Sequence, residues 1–126
     1  MNVFSVNIIG CTELLSDCPI KNLGVRVSLV DSRTGQLLKK SKKGIQVLSQ
    51  NESSQYIPQF CTRGLNCNSL QSFSAMWNES FVINENSSIL FNSNTMMIFE
   101  IIDFTIHPKR RFFNSIAFAF LKLKSS

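Results

Sequence analysis

The most informative feature of the sequence is a pair of apolar segments in its second half. The first, residues 77–83, begins with Trp-Asn-Glu, and the second, residues 96–104, is the most apolar stretch and carries a lone aspartate, Asp103, near its end. Trp-Asn-Glu predicts a turn that opens a strand, and Asp103 predicts the end of the next strand. Two such strands are typical of a β-sandwich that closes its core around a tryptophan. The pair indicates an architecture and, by itself, no chemistry.

Length and composition predict one folded domain. The chain has 126 residues, of which 44% are hydrophobic and 17% charged, with eleven Phe, and this apolar surface is sufficient to offset the entropy of ordering a single core. We therefore expect one domain over residues 1–126. No apolar run reaches the length of a membrane span, and the first residues show no basic segment of a secretory signal, which favours a cytoplasmic location.

Short apolar segments separated by turn signals predict an antiparallel all-β fold. Residues 25–31 alternate between apolar and polar side chains, Gly35 lies in the turn that follows, and residues 36–40 complete a predicted hairpin. Further strands are predicted at residues 3–9, ending at Gly10, and at 89–91 and 113–123. Periodicity also allows a helix at 115–124, but the aromatic content favours a strand. Residues 41–75 form an enlarged connection between strands.

Several motifs, in this order and spacing, resemble a known domain. They are Val-Arg-Val-Ser-Leu-Val-Asp at 25–31, Thr-Gly-Gln at 34–36, Lys-Lys at 39–40, Tyr-Ile-Pro at 56–58, Trp-Asn-Glu at 77–79, Phe-Val at 81–82, Asn-Glu-Asn at 84–86, Ile-Phe-Glu-Ile-Ile-Asp-Phe at 98–104 and Ile-Ala-Phe-Ala-Phe-Leu-Lys-Leu at 116–123. Together the segments resemble the C2-like domain of the jouberin family, WD-repeat scaffold proteins of the ciliary base.

The resemblance implies a C2-like antiparallel β-sandwich that works as a non-enzymatic adaptor in protein assembly at the basal body or transition zone. The coiled-coil, WD-repeat and Src-homology-3 parts of those proteins have no counterpart here, so their binding partners are not transferred. An eight-stranded C2 arrangement needs one more strand after Leu123, and we expect this final strand to be absent. The open edge would then favour self-association through strands.

Neither a metal site nor a catalytic site is predicted. A calcium-binding C2 domain gathers several aspartates, whereas only Asp17 and Asp103 stand at candidate positions. We interpret Asp103 as a strand-end carboxylate that caps a turn. The four cysteines do not have the spacing of a zinc site, and His107, the single histidine, has no orienting carboxylate except Asp103. No cofactor is expected, and the chain is predicted not to be an enzyme.

Two basic clusters are the candidate contact residues for a protein partner or an anionic membrane. They are Lys39, Lys40, Lys42 and Lys43 in one segment and Lys109, Arg110 and Arg111, followed by Phe112, in another. Anionic lipid attracts each surface lysine by about 1 kcal/mol, so a cluster alone would form a weak tether, which insertion of Phe112 would strengthen. Phe113 is interpreted as a core residue. Stacking aromatics of the kind that bind nucleic acid are absent.

Two other function classes stay open at this point. One is a peripheral module that binds anionic phospholipid and has no ciliary role. The other is an exported, glycosylated β-domain, because Asn51, Asn78 and Asn86 each begin an Asn-x-Ser acceptor sequence.

Overall fold

The computed structural model describes residues 2–15, 21–40, 55–66, 72–105 and 113–124. The predicted segments at 41–54, and Asp17, lie outside the described residues. Seven strands and one short helix occur in the described part of the chain. They are β1 (Asn2–Leu15), β2 (Asn22–Asp31), β3 (Phe60–Cys61), β4 (Leu65–Asn66), β5 (Ser72–Glu85), α1 (Ser87–Leu90), β6 (Thr95–Asp103) and β7 (Asn114–Lys122).

The strands form two antiparallel sheets. One sheet contains β1 and β5, and the other has the order β3-β2-β6-β7, with β4 also paired to β2. The all-β sandwich prediction is therefore confirmed. The strand at 113–123 is confirmed as well, since β7 pairs with β6 along its length and the helical alternative does not occur.

In the described part of the chain, one hydrophobic core lies between the two sheets. The apolar side chains that alternate along β2 (Val25, Val27 and Leu29) pack in one cluster with Ile8 of β1, Trp77 and Ile83 of β5, and Met97 of β6. Phe60 beside β2 meets Phe81 of β5 with their ring centroids 5.4 Å apart. Residues of both sheets thus share one buried interior, and the period-2 alternation of the strands accounts for which side chains enter it.

A β-bulge sits in the middle of the long β1–β5 pair. Ile8 faces Glu79 but Gly10 faces Met76, so β5 carries one more residue than β1 between these two pairs. Asn78 takes up the extra length with a positive φ of 53°. An ordinary side chain at Gly10 would collide with the carbonyl oxygen of Ala75. The bulge therefore lets β1 pass close to β5 while Trp77 keeps its direction toward the core.

Three local predictions need correction. Gly10 does not end β1, because it is accommodated at the bulge and the strand continues to Leu15. The predicted partner strand at 36–40 is reduced to isolated bridges from Val30 to Leu37 and from Lys39 to Tyr56, although the turn itself is present with Gly35 at a φ of 75°. The predicted strand at 89–91 is instead the end of α1 and its C-cap, Phe91, and at the start of this helix the Ser88 N–H donates to the side chain of Asn86.

Candidate functional site

An apolar cleft lies between β1 and β7. We call it the edge cleft. Its volume is about 320 Å³, which corresponds to roughly ten water molecules. Its walls are residues 7–11 of β1 and 117–119 of β7, and its floor is made by Val25, Trp77, Phe99 and Ile101.

Small side chains on β7 leave this space open. Ala119 lies opposite Phe99, and Ala117 lies opposite Ile101. Because β6 carries bulky residues at these positions and β7 carries only methyl groups, the side chains on β7 fill less space and leave a hollow at the edge of the sheet. An apolar hollow with few hydrogen-bonding partners holds water poorly, so the edge cleft is suited to apolar side chains.

The outer surface of β7 is also apolar. Phe118 is 69% exposed and Phe120 is 64% exposed. They lie next to Glu100 and Ile98 of β6 respectively, and Glu100 is held by Arg26 in an ion pair of 3.1 Å. Large exposed aromatic side chains close together are typical of a binding surface in a soluble domain.

The backbone of β7 has one partner among the described residues. It pairs with β6 on one side, and every second residue of an edge strand directs its N–H and C=O away from its single neighbour. An open edge at this strand stays a prediction, because several segments lie outside the described residues. The sequence reasoning missed the edge cleft beside it, although the Ala-x-Ala spacing at Ala117 and Ala119 in an otherwise bulky strand was a usable signal.

Cys11 lines the edge cleft. Burial raises the pKa of its thiol, and the main-chain hydrogen bond from Ala75 only partly offsets this effect. Burial also raises the pKa of the Cys61 thiol, against the opposing attraction of Arg26. Both thiols are therefore poor nucleophiles near neutral pH. No group of three potential metal-ligating side chains occurs within the described ranges.

Asp103 has the structural position expected of it. Its Oδ1 accepts hydrogen bonds from the Thr105 hydroxyl at 2.6 Å, the Thr105 N–H at 3.1 Å and the Asn22 N–H at 3.2 Å. Burial works to raise the pKa of this carboxyl, but the hydrogen bonds from Thr105 and from the main chain of Asn22 and Lys21 outweigh it and hold the pKa below its usual value. Through the hydrogen bond from Asn22, the carboxylate links the end of β6 to the start of β2.

The predicted contact residues are only partly described. Lys39 is exposed and bridges to Tyr56, and the main-chain N–H of Lys40 donates to the carbonyl of Gln55 at 2.8 Å. The other predicted contact residues lie outside the described residues: Lys42, Lys43, Lys109, Arg110, Arg111 and Phe112. Phe113 was predicted to be a core residue, and this prediction is wrong. It is 47% exposed and packs edge-to-face on Phe104, with ring centroids 5.1 Å apart.

The fold and the edge cleft define an all-β, two-sheet domain with a candidate binding edge. No family model matches the chain. Among curated proteins it is similar to jouberin from Mus musculus, with 29% identity over 138 aligned positions, and to jouberin from Rattus norvegicus, with 30% identity over 138. Each alignment covers 96% of this chain and 13% of the relative. The chain is thus similar to one region of jouberin. Within the described residues, no helix is long and apolar enough to cross a bilayer.

Proposed function

We propose that this chain is a non-enzymatic C2-like module that acts as an adaptor in protein assembly at the ciliary base. The observation that carries the proposal is the similarity to jouberin, which extends over 96% of the chain. The resemblance implies a scaffold role in the cytoplasm beside the basal body or transition zone.

The surface of the domain supports an adaptor role. Phe118 and Phe120 expose aromatic rings on one side of β7, and the edge cleft offers an apolar hollow on the other side. Protein-binding surfaces commonly combine aromatic side chains with a pocket of this kind.

Proximity labelling in ciliated cells tests this proposal. The chain fused to a labelling enzyme should enrich basal-body and transition-zone proteins over the labelling enzyme expressed alone. A variant with Phe118→Lys separates a specific interface from general adhesion, and Val82→Lys, which changes an exposed residue on β5, is the matched control. Equal enrichment with and without the chain would contradict the ciliary role. A shift in gel mobility on deglycosylation would instead favour the exported, glycosylated domain.

The second candidate is a peripheral module that binds anionic phospholipid. It is favoured by the exposed Lys39 at the start of a lysine-rich segment that continues with Lys40, Lys42 and Lys43. A liposome assay with anionic and neutral vesicles tests this candidate.

A further inference from the structure

Strand β7 offers a binding partner three kinds of surface at once. Its backbone edge away from β6 pairs with no other described strand and supplies hydrogen-bonding groups. Its outer face exposes Phe118 and Phe120, and its inner face opens into the edge cleft beside Ala117 and Ala119. A strand added to this edge would place alternate side chains on both faces. Those on the inner side would enter the edge cleft above Trp77, and those on the outer side would cover the two phenylalanines.

The charges around β7 indicate what kind of strand fits. No acidic residue occurs in the sequence after Asp103, whereas Lys109, Arg110 and Arg111 precede β7 and Lys122 and Lys124 end it. In the sequence, basic residues thus stand both before β7 and at its end, and a second copy would bring the same positive charge to this strand. Like charges that are brought together weaken the pairing of strands, so a second copy is a poor occupant.

We infer that the edge of β7 that faces away from β6 captures an extended apolar segment of a partner protein, flanked by acidic residues, as an added β-strand whose inward side chains fill the edge cleft. The inference rests on the proposed adaptor function and names its class of partner. Backbone pairing gives such complexes affinity, while the hollows that receive alternate side chains give them selectivity. Acidic flanks would complement the positive charge of Lys122 and of the basic sequence that precedes β7, and would increase the rate of association.

A designed peptide tests this inference directly. The probe is a fluorescent peptide of about nine residues, the length of a typical longer strand, with alternating Val and Thr at its centre and two Glu at each end. Two comparison peptides carry Lys in place of Glu, or Pro at two central positions. In fluorescence anisotropy at low salt, we expect the acidic peptide to bind at least about tenfold tighter than the lysine peptide, with the difference shrinking toward 1 M salt. The proline peptide should not bind.

Variants of the protein locate the binding site. Phe118→Lys should abolish binding of the acidic peptide, Ala119→Leu should weaken it by filling the edge cleft, and Val82→Lys on the other sheet should leave it unchanged. Binding should also slow hydrogen exchange of the β7 amides and alkylation of Cys11. Because the comparison among peptides uses the unaltered protein, the test stands even where a variant folds poorly.

Several outcomes would overturn the inference. Equal affinity for the acidic and lysine peptides would remove the charge argument, and protection of the β7 amides by protein concentration alone would identify a second copy as the occupant. Displacement of a fluorescent fatty acid from the edge cleft, without binding of any peptide, would identify an acyl chain. If ciliary enrichment survives Phe118→Lys, strand capture is refuted and the adaptor proposal stays intact. If the peptide binds but the chain shows no ciliary enrichment, the adaptor proposal is refuted and strand capture stays intact.

Discussion

The indole Nε1–H of Trp77 donates a hydrogen bond to the main-chain carbonyl of Leu23 at a distance of 3.2 Å. Trp77 belongs to β5 in the two-stranded sheet, and Leu23 belongs to β2 in the larger sheet, so this bond ties the two layers together across the core. Both side chains are almost completely buried. Arg63 adds a second tie beside it, since its guanidinium donates to the carbonyl of Trp77 at 3.2 Å and to Glu79 at 3.0 Å.

The link between Trp77 and Leu23 makes Trp77 the most sensitive core position we identify. Trp77→Phe keeps most of the ring but removes the hydrogen bond, and we expect the free energy of unfolding to fall by about 1–2 kcal/mol. Trp77→Ala also leaves a cavity, for a loss of about 3–5 kcal/mol. Urea unfolding followed by circular dichroism measures both, with Val82→Ala as a surface control that should change stability by about 0.5 kcal/mol or less. An unchanged midpoint in Trp77→Phe would show that the bond contributes nothing.

The bulge at Asn78 predicts an unusual ranking of substitutions. At a φ of 53°, glycine is tolerated and a β-branched residue is strained by about 1–2 kcal/mol. Asn78→Gly should therefore be more stable than Asn78→Val. At Val82, farther along the same strand, the order should reverse, because valine favours extended backbone and glycine weakens a strand. Thermal unfolding of Asn78→Gly, Asn78→Val, Val82→Gly and the unaltered protein checks this ranking. If glycine were more stable than valine at both positions, or less stable at both, the bulge would be contradicted.

Local patterns in the sequence predicted five of the strands because alternation of apolar residues is a local property. The bulge was not predictable in this way, since Trp-Asn-Glu at 77–79 is equally typical of a turn and nothing nearby reports that Gly10 approaches the carbonyl of Ala75. The short helix α1 was missed for a different reason. Ile-Leu-Phe at 89–91 has strand composition, but Asn86 followed by Ser87 and Ser88 was a helix-capping signal that could have been used.

The candidate site depended on long-range relationships. The edge cleft exists because β1 and β7, which are far apart in sequence, come to face each other across Trp77. An open edge at β7 is a prediction that rests on comparison with an eight-stranded arrangement. The hollow beside β7 depends on Ala117 and Ala119 lying opposite larger residues of β6. That register is set by a pairing that no single segment specifies.

The hydrogen-bonded carboxylate of Asp103 predicts a pH effect of known sign. Because the pKa of Asp103 in the folded protein lies below its usual value, the stability it contributes is fully present above the unfolded pKa of about 3.9. This stability is lost as pH falls from that value through the folded pKa. Asp103→Asn cannot ionise and should lose less stability over this range. Urea midpoints of the unaltered protein and Asp103→Asn, measured at several pH values between neutrality and strong acid, should approach each other as the pH falls. A constant difference between the two midpoints would contradict this prediction.

Calcium is not expected to stabilise the domain. The Oδ1 atom of Asp103 already accepts three hydrogen bonds, and calcium needs several oxygen ligands. A ligand present at 100 times its Kd would add about 2.7 kcal/mol to the free energy of unfolding. Differential scanning calorimetry with millimolar calcium, compared with magnesium and with a chelator, should therefore show the same Tm. A rise specific to calcium that disappears in Asp103→Asn would show that a site exists.

The lysine-rich segment that begins at Lys39 gives the lipid alternative its own test. Replacing Lys39, Lys40, Lys42 and Lys43 by Gln removes about 4 kcal/mol of attraction to an anionic surface at most, which would account for an affinity no better than roughly millimolar. Sedimentation with anionic vesicles should thus be weak and lost in this variant. Binding should also fade as salt shortens the Debye length from about 10 Å at 0.1 M to about 3 Å at 1 M.

Lys122→Gln with Lys124→Gln is the control for lipid binding, since it removes charge at the end of β7 and leaves the lysine-rich segment intact. If the segment is responsible, this control should retain most of the binding. Equal sedimentation with neutral and anionic vesicles would exclude the electrostatic mechanism. Binding that resists salt and is lost in Phe112→Ser would instead indicate insertion of an aromatic side chain, because apolar burial does not depend on ionic strength in the way that charge attraction does.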